Sequence, residues 1–287
     1  MHRPDMHQDR RHQSCRRLWL VAGTGEGPDL AEQLLALGWQ VTVSVVSAPA
    51  ALAYRSHPAL TLRVGALGGE AAVAAELAAA AASGSPYAVV VDASHPFACQ
   101  VSRQLAAGCA RRGQRLLRLQ RLTPEGPATL LPALQDLRAV PLAGERLLLA
   151  IGARQLAAAV SLSPGAVHHA RLLPSASSLQ QAMAAGLGAE RVACLRPGAA
   201  LEVERALVRR WRITTVLARQ SGGTTEQLWR SICDSDGPSL LLLRRPEDPA
   251  GVERHDATAL LATLAGWMPP ADDGAESLSP DVGPPGP

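Results

Sequence analysis

Short apolar runs alternate with longer runs rich in Ala and Leu along most of the 287-residue chain. The short runs lack the apolar–polar alternation of half-exposed strands, so they predict strands buried on both faces. Buried strands separated by helices are typical of a parallel sheet between two helical layers. In the first part of the chain, strands are predicted at 17–22, 40–46, 60–64, 87–92 and 115–119, with helices at 28–37, 70–83 and 97–112.

The segment 120–145 interrupts this alternation because it is rich in Pro and Gly, and we interpret it as a crossover or linker. The alternation then resumes. Strands are predicted at 146–151, 167–172, 191–195, 213–218 and 239–244, with helices at 153–160, 176–185, 199–210, 223–233 and 256–267. The pattern therefore predicts an α/β fold of two Rossmann-like halves, each a mainly parallel sheet flanked by helices, with a cleft between them.

The predicted domains are 17–140 and 141–267. The basic segment 1–16 and the Pro-, Gly- and Ser-rich segment 268–287 lack periodicity, and we expect both to be disordered. The apolar run after the basic segment is too short for a signal peptide, and the Ala-rich stretch 71–82 is shorter than the ~20 residues that span a bilayer. We expect a cytoplasmic protein that does not bind a membrane.

All 28 basic residues are Arg, and the chain has no Lys. This excludes a Lys Schiff base and a Walker A phosphate loop. The net charge of +3 is mild and no basic stripe is interleaved with aromatic residues, so we expect no nucleic-acid partner. Scattered Arg suits a polyanionic small molecule. The five Cys are far apart and form no C-x-x-C, so we expect neither a metal site nor disulfides.

A glycine-rich turn follows the first predicted strand and opens a helix; it consists of Gly23, Thr24, Gly25, Glu26 and Gly27. Glycines let the backbone bend tightly and let a phosphate approach the N–H groups of the helix N-terminus. We predict that these five residues bind the phosphates of a cofactor. The alternative is a tight strand-to-helix turn that binds no ligand.

The end of the second predicted strand carries Ser44 and has no acidic residue nearby. NAD-binding sites of this kind usually place an acid there, on the ribose 2′-hydroxyl. Because a carboxylate would repel a 2′-phosphate and a hydroxyl would accept one, we expect NADPH rather than NADH, with Ser44 in contact. An equally supported alternative is that the two serines at this strand end, Ser44 and Ser47, only form a turn.

The fourth predicted strand ends in Asp92-Ala93-Ser94-His95-Pro96-Phe97-Ala98, which contains the only Phe of the chain. Ligands of open parallel sheets lie outside the carboxyl ends of the strands. We therefore expect Asp92, Ser94, Pro96 and Phe97 to border the cofactor. His95 is a candidate proton donor because the pKa of free imidazole, ~6.5, suits proton exchange near neutrality.

The same segment resembles the Asp-Ala-Thr-His-Pro-Phe-Ala signature of the precorrin-6A reductase family of cobalamin biosynthesis. Other segments resemble that family in order and spacing, so that the resemblance covers about residues 18–267; they are 23–27, 63–65, 116–121, 152–155, 218–223 and 244–246. Three departures stand out. Gly23-Thr24-Gly25 replaces Gly-Gly-Thr, Arg219 replaces a Lys, and an Ala-Gly-Arg after the second strand is absent, with Arg55 as a possible substitute for the 2′-phosphate contact.

The resemblance implies NADPH-dependent reduction of a macrocycle double bond in precorrin-6A, or its cobalt complex, to give precorrin-6B. It implies a small tetrapyrrole substrate with several carboxylates and transient contact with other corrin-pathway enzymes. The candidate substrate-binding residues are Arg118, Arg121, Arg154, Arg171, Arg219, Ser221, Gly222 and Gly223, the last three as an anion-binding turn. Two alternatives are a non-catalytic α/β protein that binds a nucleotide or tetrapyrrole, and a sugar-nucleotide transferase, which usually has a longer chain.

Overall fold

The computed structural model describes residues 16–23, 25–196 and 201–267. Within these residues the chain forms two six-stranded sheets, and neighbouring strands in both are parallel. The predicted α/β fold of two similar halves is confirmed. Strands and helices are numbered in chain order below.

The first sheet has the order β12-β5-β4-β1-β2-β3. Its strands are β1 (Arg17–Val21), β2 (Gln40–Val45), β3 (Leu60–Val64), β4 (Val89–Asp92), β5 (Leu116–Leu119) and β12 (Glu253–His255). Its helices are α1 (Gly27–Ala36), α2 (Ala48–Ala51), α3 (Glu70–Ala82), α4 (Cys99–Arg111) and α9 (Ala257–Ala265).

The second sheet has the order β6-β11-β10-β7-β8-β9. Its strands are β6 (Thr129–Leu131), β7 (Arg146–Ala150), β8 (Val167–Leu172), β9 (Val192–Cys194), β10 (Thr215–Arg219) and β11 (Ser239–Leu243). Its helices are α5 (Leu156–Leu162), α6 (Ala176–Ala184), α7 (Glu202–Trp211) and α8 (Thr224–Asp236), with 3-10 turns at Leu134–Ala139, Ala153–Gln155 and Ala189–Arg191.

Central strand β1 shows why its sequence has no polar alternation. Leu18 and Leu20 pack with Leu34 of α1 on one side of the sheet, whereas Trp19 and Val21 pack with α3 and α4 on the other. Both faces are covered at these four positions, so all four are apolar.

Two predicted placements are wrong, because a short strand from each assigned domain joins the other sheet. The segment 120–145, predicted as a linker, contains β6, which pairs with β11. The segment after β11, predicted in the second domain, returns to the first sheet as β12 beside β5. Helix α9 follows it there, and the Trp39 indole N–H donates to Leu264 O at 3.3 Å. The chain therefore crosses between the halves twice, in 120–128 and 244–252.

Of the two segments predicted to be disordered, residues 1–15 of the first and all of the second, 268–287, lie outside the described residues. Arg16, assigned to the same tail, lies inside them and donates to Leu37 O at 3.0 Å. Across the described part of the chain, no helix combines the length and the apolar character needed to cross a bilayer.

Candidate active site between the two halves

The first glycine-rich turn is held by a hydrogen bond from Tyr54 and has free space beside Gly23 and Gly25. The Tyr54 hydroxyl donates to Gly23 O at 2.7 Å, and burial raises the pKa of Tyr54 well above its usual range. A Cβ at Gly27 would collide with that hydroxyl, so Gly27 is needed for packing rather than for a ligand. By contrast, a Cβ at Gly23 or Gly25 would meet nothing within 4 Å. Thr24 lies outside the described residues.

Glu26 points away from this turn toward Arg121, which lies at the start of the first crossing. The two side chains form an ion pair, and the other Arg121 nitrogens donate to Ser94 O at 3.1 Å and Ala93 O at 3.3 Å. Glu26 also lies against Gly223 of the second half, with Oε1 3.1 Å from the position of a Cβ there. Arg121 was predicted to bind substrate, but its guanidinium is already used to clamp the turn to the loop after β4.

Asp92 and Arg118 are buried together rather than open to the cleft. Their side chains are 1% and 3% exposed and form an ion pair of 2.8 Å. Asp92 Oδ1 accepts the Ser94 N–H at 2.9 Å, and Arg118 donates to Ser94 Oγ at 3.1 Å. The predictions of direct cofactor contact for Asp92 and Ser94, and of substrate contact for Arg118, do not fit this burial. These groups instead shape the loop that carries His95.

Ser44 and Arg171 are also engaged inside the protein. Ser44 is buried and accepts the Trp19 indole N–H at 2.9 Å, so its predicted contact with a 2′-phosphate does not fit. Arg171 forms a buried ion pair of 3.0 Å with Glu204 of α7, which satisfies the charge that was predicted to bind substrate.

Pro96 and Phe97 connect the first half to the second. Pro96 is buried, and Phe97 packs against the core of the second half. The Arg219 guanidinium lies 5.0 Å above the Phe97 ring, a cation–π contact. Phe97 was expected to border the cofactor, and the structure places it at the junction of the halves.

His95 is exposed at this junction. Its Nδ1 accepts the Phe97 N–H at 3.2 Å, so the neutral ring carries its proton on Nε2. Loss of hydration and the positive charges of Arg219 and Arg121 lower the pKa of His95 to about 4. At pH 7 only about one ring in a thousand is then protonated. His95 in the ligand-free protein is therefore a hydrogen-bond donor, and the predicted proton-donor role does not fit this state.

The second glycine-rich turn, 221–223, already holds a carboxylate from its own helix. Gly222 N–H donates to Glu226 Oε2 at 2.7 Å, and Arg230 Nε donates to Glu226 Oε1 at 2.9 Å. Glu226 is completely buried, and Ser221 is buried with its N–H donated to Arg219 O at 2.8 Å. The predicted binding of an external anion by Ser221, Gly222 and Gly223 does not fit these internal contacts of Ser221 and Gly222.

Three arginines at the strand ends of the second half have no carboxylate partner within the described residues: Arg154, Arg219 and Arg245. Arg154 is exposed. Arg219 donates to Gln155 Oε1 at 3.0 Å, and Arg245 donates to Arg121 O at 2.8 Å. Burial lowers the pKa of Arg219 and of Arg245, and for Arg245 the charges of Glu226 and Asp248 act in the opposite direction. These three guanidinium groups can bind the carboxylates of a polyanionic ligand.

Two site residues were missed by the sequence argument. Glu226 stands three residues after Gly223, the spacing of an acid that caps its own helix, so its role was detectable. Asp248 lies in a Pro-rich segment without periodicity, and no local signal marks its ion pair of 3.1 Å with Arg118.

Comparison with known proteins finds relatives that cover most of the chain. The Cobalt-precorrin-6A reductase of Synechocystis sp. is 35% identical over 254 residues, which cover 86% of this chain and 95% of that protein. The Precorrin-6A reductase of Rhodobacter capsulatus is 30% identical over 267 residues, with coverage of 90% and 97%. The solved structure of CobK precorrin-6A reductase has a TM-score of 0.70 at 26% identity, covering 88% of this chain and 99% of that one.

Residues 17–265 match the family model described as Precorrin-6x reductase CbiJ/CobK. The match covers both sheets and both crossing points. This chain therefore belongs to the precorrin-6x reductase CbiJ/CobK family.

Proposed function

We propose that this chain reduces one double bond in the macrocycle of precorrin-6A, or of its cobalt complex, with NADPH, giving precorrin-6B. As a member of a reductase family, the chain is an oxidoreductase of cobalamin biosynthesis. The observation that carries the proposal is the junction of the two halves, where Glu26 of the open glycine turn lies beside Gly223 of the second half. On the second half, Arg154, Arg219 and Arg245 have no carboxylate partner among the described residues.

The first turn fits the pyrophosphate of a dinucleotide. Gly23 and Gly25 leave open space above the backbone, and the N-terminus of α1 supplies a positive helix end. The nearby Glu26 carboxylate is neutralised by Arg121, so it does not repel an anion. When bound, NADPH supplies the hydride.

Arg55 is the residue we assign to the 2′-phosphate. It follows Tyr54, whose hydroxyl holds Gly23, so it belongs to the segment that supports the turn. Its side chain is 86% exposed and its ion pair with Glu32 is long, 3.4 Å. Such a pair is weak and is easily exchanged for a phosphate.

The second half is assigned to the substrate. Arg154, Arg219 and Arg245 offer planar, two-pronged donors that match the carboxylates of a tetrapyrrole. The Phe97 ring contacts the Arg219 guanidinium and helps to position it. Positioning of the flat substrate against the cofactor can supply about 7–11 kcal/mol of the barrier reduction.

His95 donates its Nε2–H toward the substrate in this proposal. Substrate carboxylates that pair with Arg219 and Arg245 cancel two of the positive charges that lower the pKa of His95. Proton uptake by His95 therefore follows substrate binding, and the proton comes from solvent. We further propose a cytoplasmic location. We also propose transient contact with other corrin-pathway enzymes, because each product in such a sequence is the next substrate.

The test is oxidation of NADPH, followed by loss of the reduced nicotinamide absorbance, with precorrin-6A and with its cobalt complex as separate substrates. We expect oxidation with at least one substrate, and faster with NADPH than with NADH. If NADPH binds but neither substrate oxidises it, the chain is a binding protein instead. If neither nucleotide binds, the assignment of the first turn is wrong as well.

A further inference from the structure

We propose that Asp248 is a positioning residue that ties the second crossing of the chain, 244–252, to the loop carrying His95. It acts through Arg118 and does not touch substrate or cofactor. The inference rests on the proposed function for its effect on turnover, and on the contacts alone for its effect on the loop.

Arg118 is the centre of the linkage. Its side chain is 3% exposed and pairs with two carboxylates, Asp92 at 2.8 Å and Asp248 at 3.1 Å. A guanidinium buried this deeply must keep partners for its charge, because an unpaired buried charge is strongly destabilising. Asp92 comes from the end of β4, whereas Asp248 comes from the returning crossover. Arg118 therefore joins two distant parts of the chain.

The same guanidinium reaches the loop after β4. Its Nη1 donates to Ser94 Oγ at 3.1 Å, and Ser94 N–H donates to Asp92 Oδ1 at 2.9 Å. His95 is the next residue. A shift of Arg118 toward or away from Asp248 must therefore move Ser94 and, with it, the His95 ring.

The crossover that carries Asp248 also begins with Arg245, one of the arginines assigned to substrate. Arg245 donates through Nη1 to Arg121 O at 2.8 Å, so the beginning of the crossover is fixed to the first half. Asp248 fixes it a second time, three residues later. The substrate-binding side and the His95 loop thereby keep a defined relative position.

A second ion pair between the same two segments of the chain serves as a control. Glu253 of β12 pairs with Arg115, which precedes β5, at 2.9 Å, with both side chains 45% exposed. This ion pair joins the same two chain segments as the Asp248–Arg118 pair but lies at the amino ends of the strands, away from the site. Glu253 also accepts a hydrogen bond from His255 Nε2 at 2.7 Å, so its loss has its own histidine reporter.

The experiment compares Asp248→Ala, Asp248→Asn and Glu253→Gln with the wild type. We expect Asp248→Ala to lower kcat about tenfold, because small misplacements of reacting groups cost up to ~100-fold. The KM values and NADPH binding should stay within about twofold of the wild type, because the first turn and the three arginines keep their contacts. Asp248→Asn keeps an oxygen that can accept from Arg118 Nε, so it should restore most of kcat. Glu253→Gln should turn over like the wild type.

The second readout is the NMR signal of the His95 imidazole, assigned by its disappearance in His95→Asn. We expect Asp248→Ala to move this signal and Asp248→Asn to return it toward the wild-type position. Glu253→Gln should move the His255 signal and leave His95 in place. If the His95 signal is the same in Asp248→Ala and wild type, the proposal is wrong, whatever happens to kcat.

An unchanged kcat in folded Asp248→Ala would also overturn it. If Asp248→Ala does not fold, the comparison of Asp248→Asn with Glu253→Gln decides by the same two readouts. If the wild type turns over neither substrate, the proposed function fails, and the NMR comparison still tests the linkage.

Discussion

Each half contains one glycine-rich turn predicted to bind an anion, and the two turns use a nearby glutamate in opposite ways. They follow strands with different places in the sheet order, because β10 corresponds to β4 and not to β1. Each turn follows a central strand and opens a helix. Glu26 is the last residue before α1 and points across to Arg121. Glu226 is the third residue of α8 and folds back onto Gly222. The position of one acid relative to the helix start therefore decides whether a turn stays open or fills itself.

The filled turn is a structural joint. Glu226 places a negative charge at the positive end of α8, and Arg230 balances it. Arg230 also donates to Gly126 O at 2.9 Å, which holds the first crossing of the chain. Among the described residues, no side-chain carboxylate fills the open turn in this way. We therefore expect the fold to stay intact when no external anion is bound there.

The largest expected effect follows removal of the Glu226 carboxylate from the second turn. Glu226→Ala leaves Arg230 without its buried partner and should lower the free energy of unfolding by about 3–5 kcal/mol. Urea denaturation measures this loss. Glu26→Ala is the comparison in the open turn. Its side chain is 38% exposed, so the loss should stay below about 1 kcal/mol. Equal losses would contradict the difference between the turns.

Gly222→Ala should destabilise the same joint by about 2–4 kcal/mol. Gly222 has φ +69°, and a Cβ there would collide with the Arg245 guanidinium and lie 2.6 Å from Leu122 O. Gly237 ends α8 with φ +89° and nothing within 4 Å of a Cβ. Gly237→Ala therefore carries the backbone strain without the collision and should cost about 1 kcal/mol, also measured in urea. A loss in Gly222→Ala no larger than in Gly237→Ala would remove the collision argument.

In the open turn, substitution should affect binding rather than stability. Gly25→Val places a side chain where no protein atom lies within 4 Å, so the thermal midpoint should hardly change. The side chain would occupy the approach of a phosphate, and NADPH affinity should fall about tenfold, or 1.4 kcal/mol. Titration of NADPH fluorescence measures it. Unchanged affinity in a folded variant would count against the cofactor assignment.

A smaller effect is expected beside the open turn. Arg55→Gln removes an exposed cation and should lower the preference for NADPH over NADH about fivefold, or ~1 kcal/mol. The measurement is kcat/KM with each nucleotide. Arg111→Gln removes an arginine in a similarly exposed ion pair, with Glu70 at 3.2 Å, and should leave the preference unchanged. A preference that survives in Arg55→Gln would assign the 2′-phosphate elsewhere.

The smallest change concerns His95, which lies between the turns. Its pKa of about 4 is below that of free imidazole, so the folded protein binds fewer protons than the unfolded chain between those values. The stabilising contribution is present above pH ~6.5 and is lost as pH falls toward 4. NMR titration should place the midpoint near 4, and Arg219→Gln should raise it. A midpoint near 6.5 in the wild type would contradict the influence of the arginines.

The sequence predicted the fold wherever periodicity was strong. The central strands and long helices were placed correctly because their burial on two faces leaves continuous apolar runs. The strands β6 and β12 were missed or misassigned because each has three residues, at a sheet edge, without a pattern. No local rule says which sheet such a strand joins, since that depends on a partner more than a hundred residues away.

The sequence indicated which segments carry the candidate site residues, but not which side chains those residues pair with. Arg121 contacts Glu26 and Ser94 and lies beside Gly223, so the segments after β1, β4 and β10 lie near one another. Which arginine already had a carboxylate could not be seen, because Arg118, Arg121 and Arg171 find theirs in distant segments. An unpaired guanidinium and a paired one look the same in a sequence. The difference arises only when the chain folds and brings distant segments together.

The return of β12 and α9 to the first sheet has a consequence for how the chain is made. Residues 129–243 form the second half without interruption, so they can fold as one unit during synthesis. The first half cannot, because its core includes Leu260 and Leu264, which emerge from the ribosome after the whole second half. Until then Leu34 and Trp39 lack their cover. The part of the protein translated first is thus the part completed last.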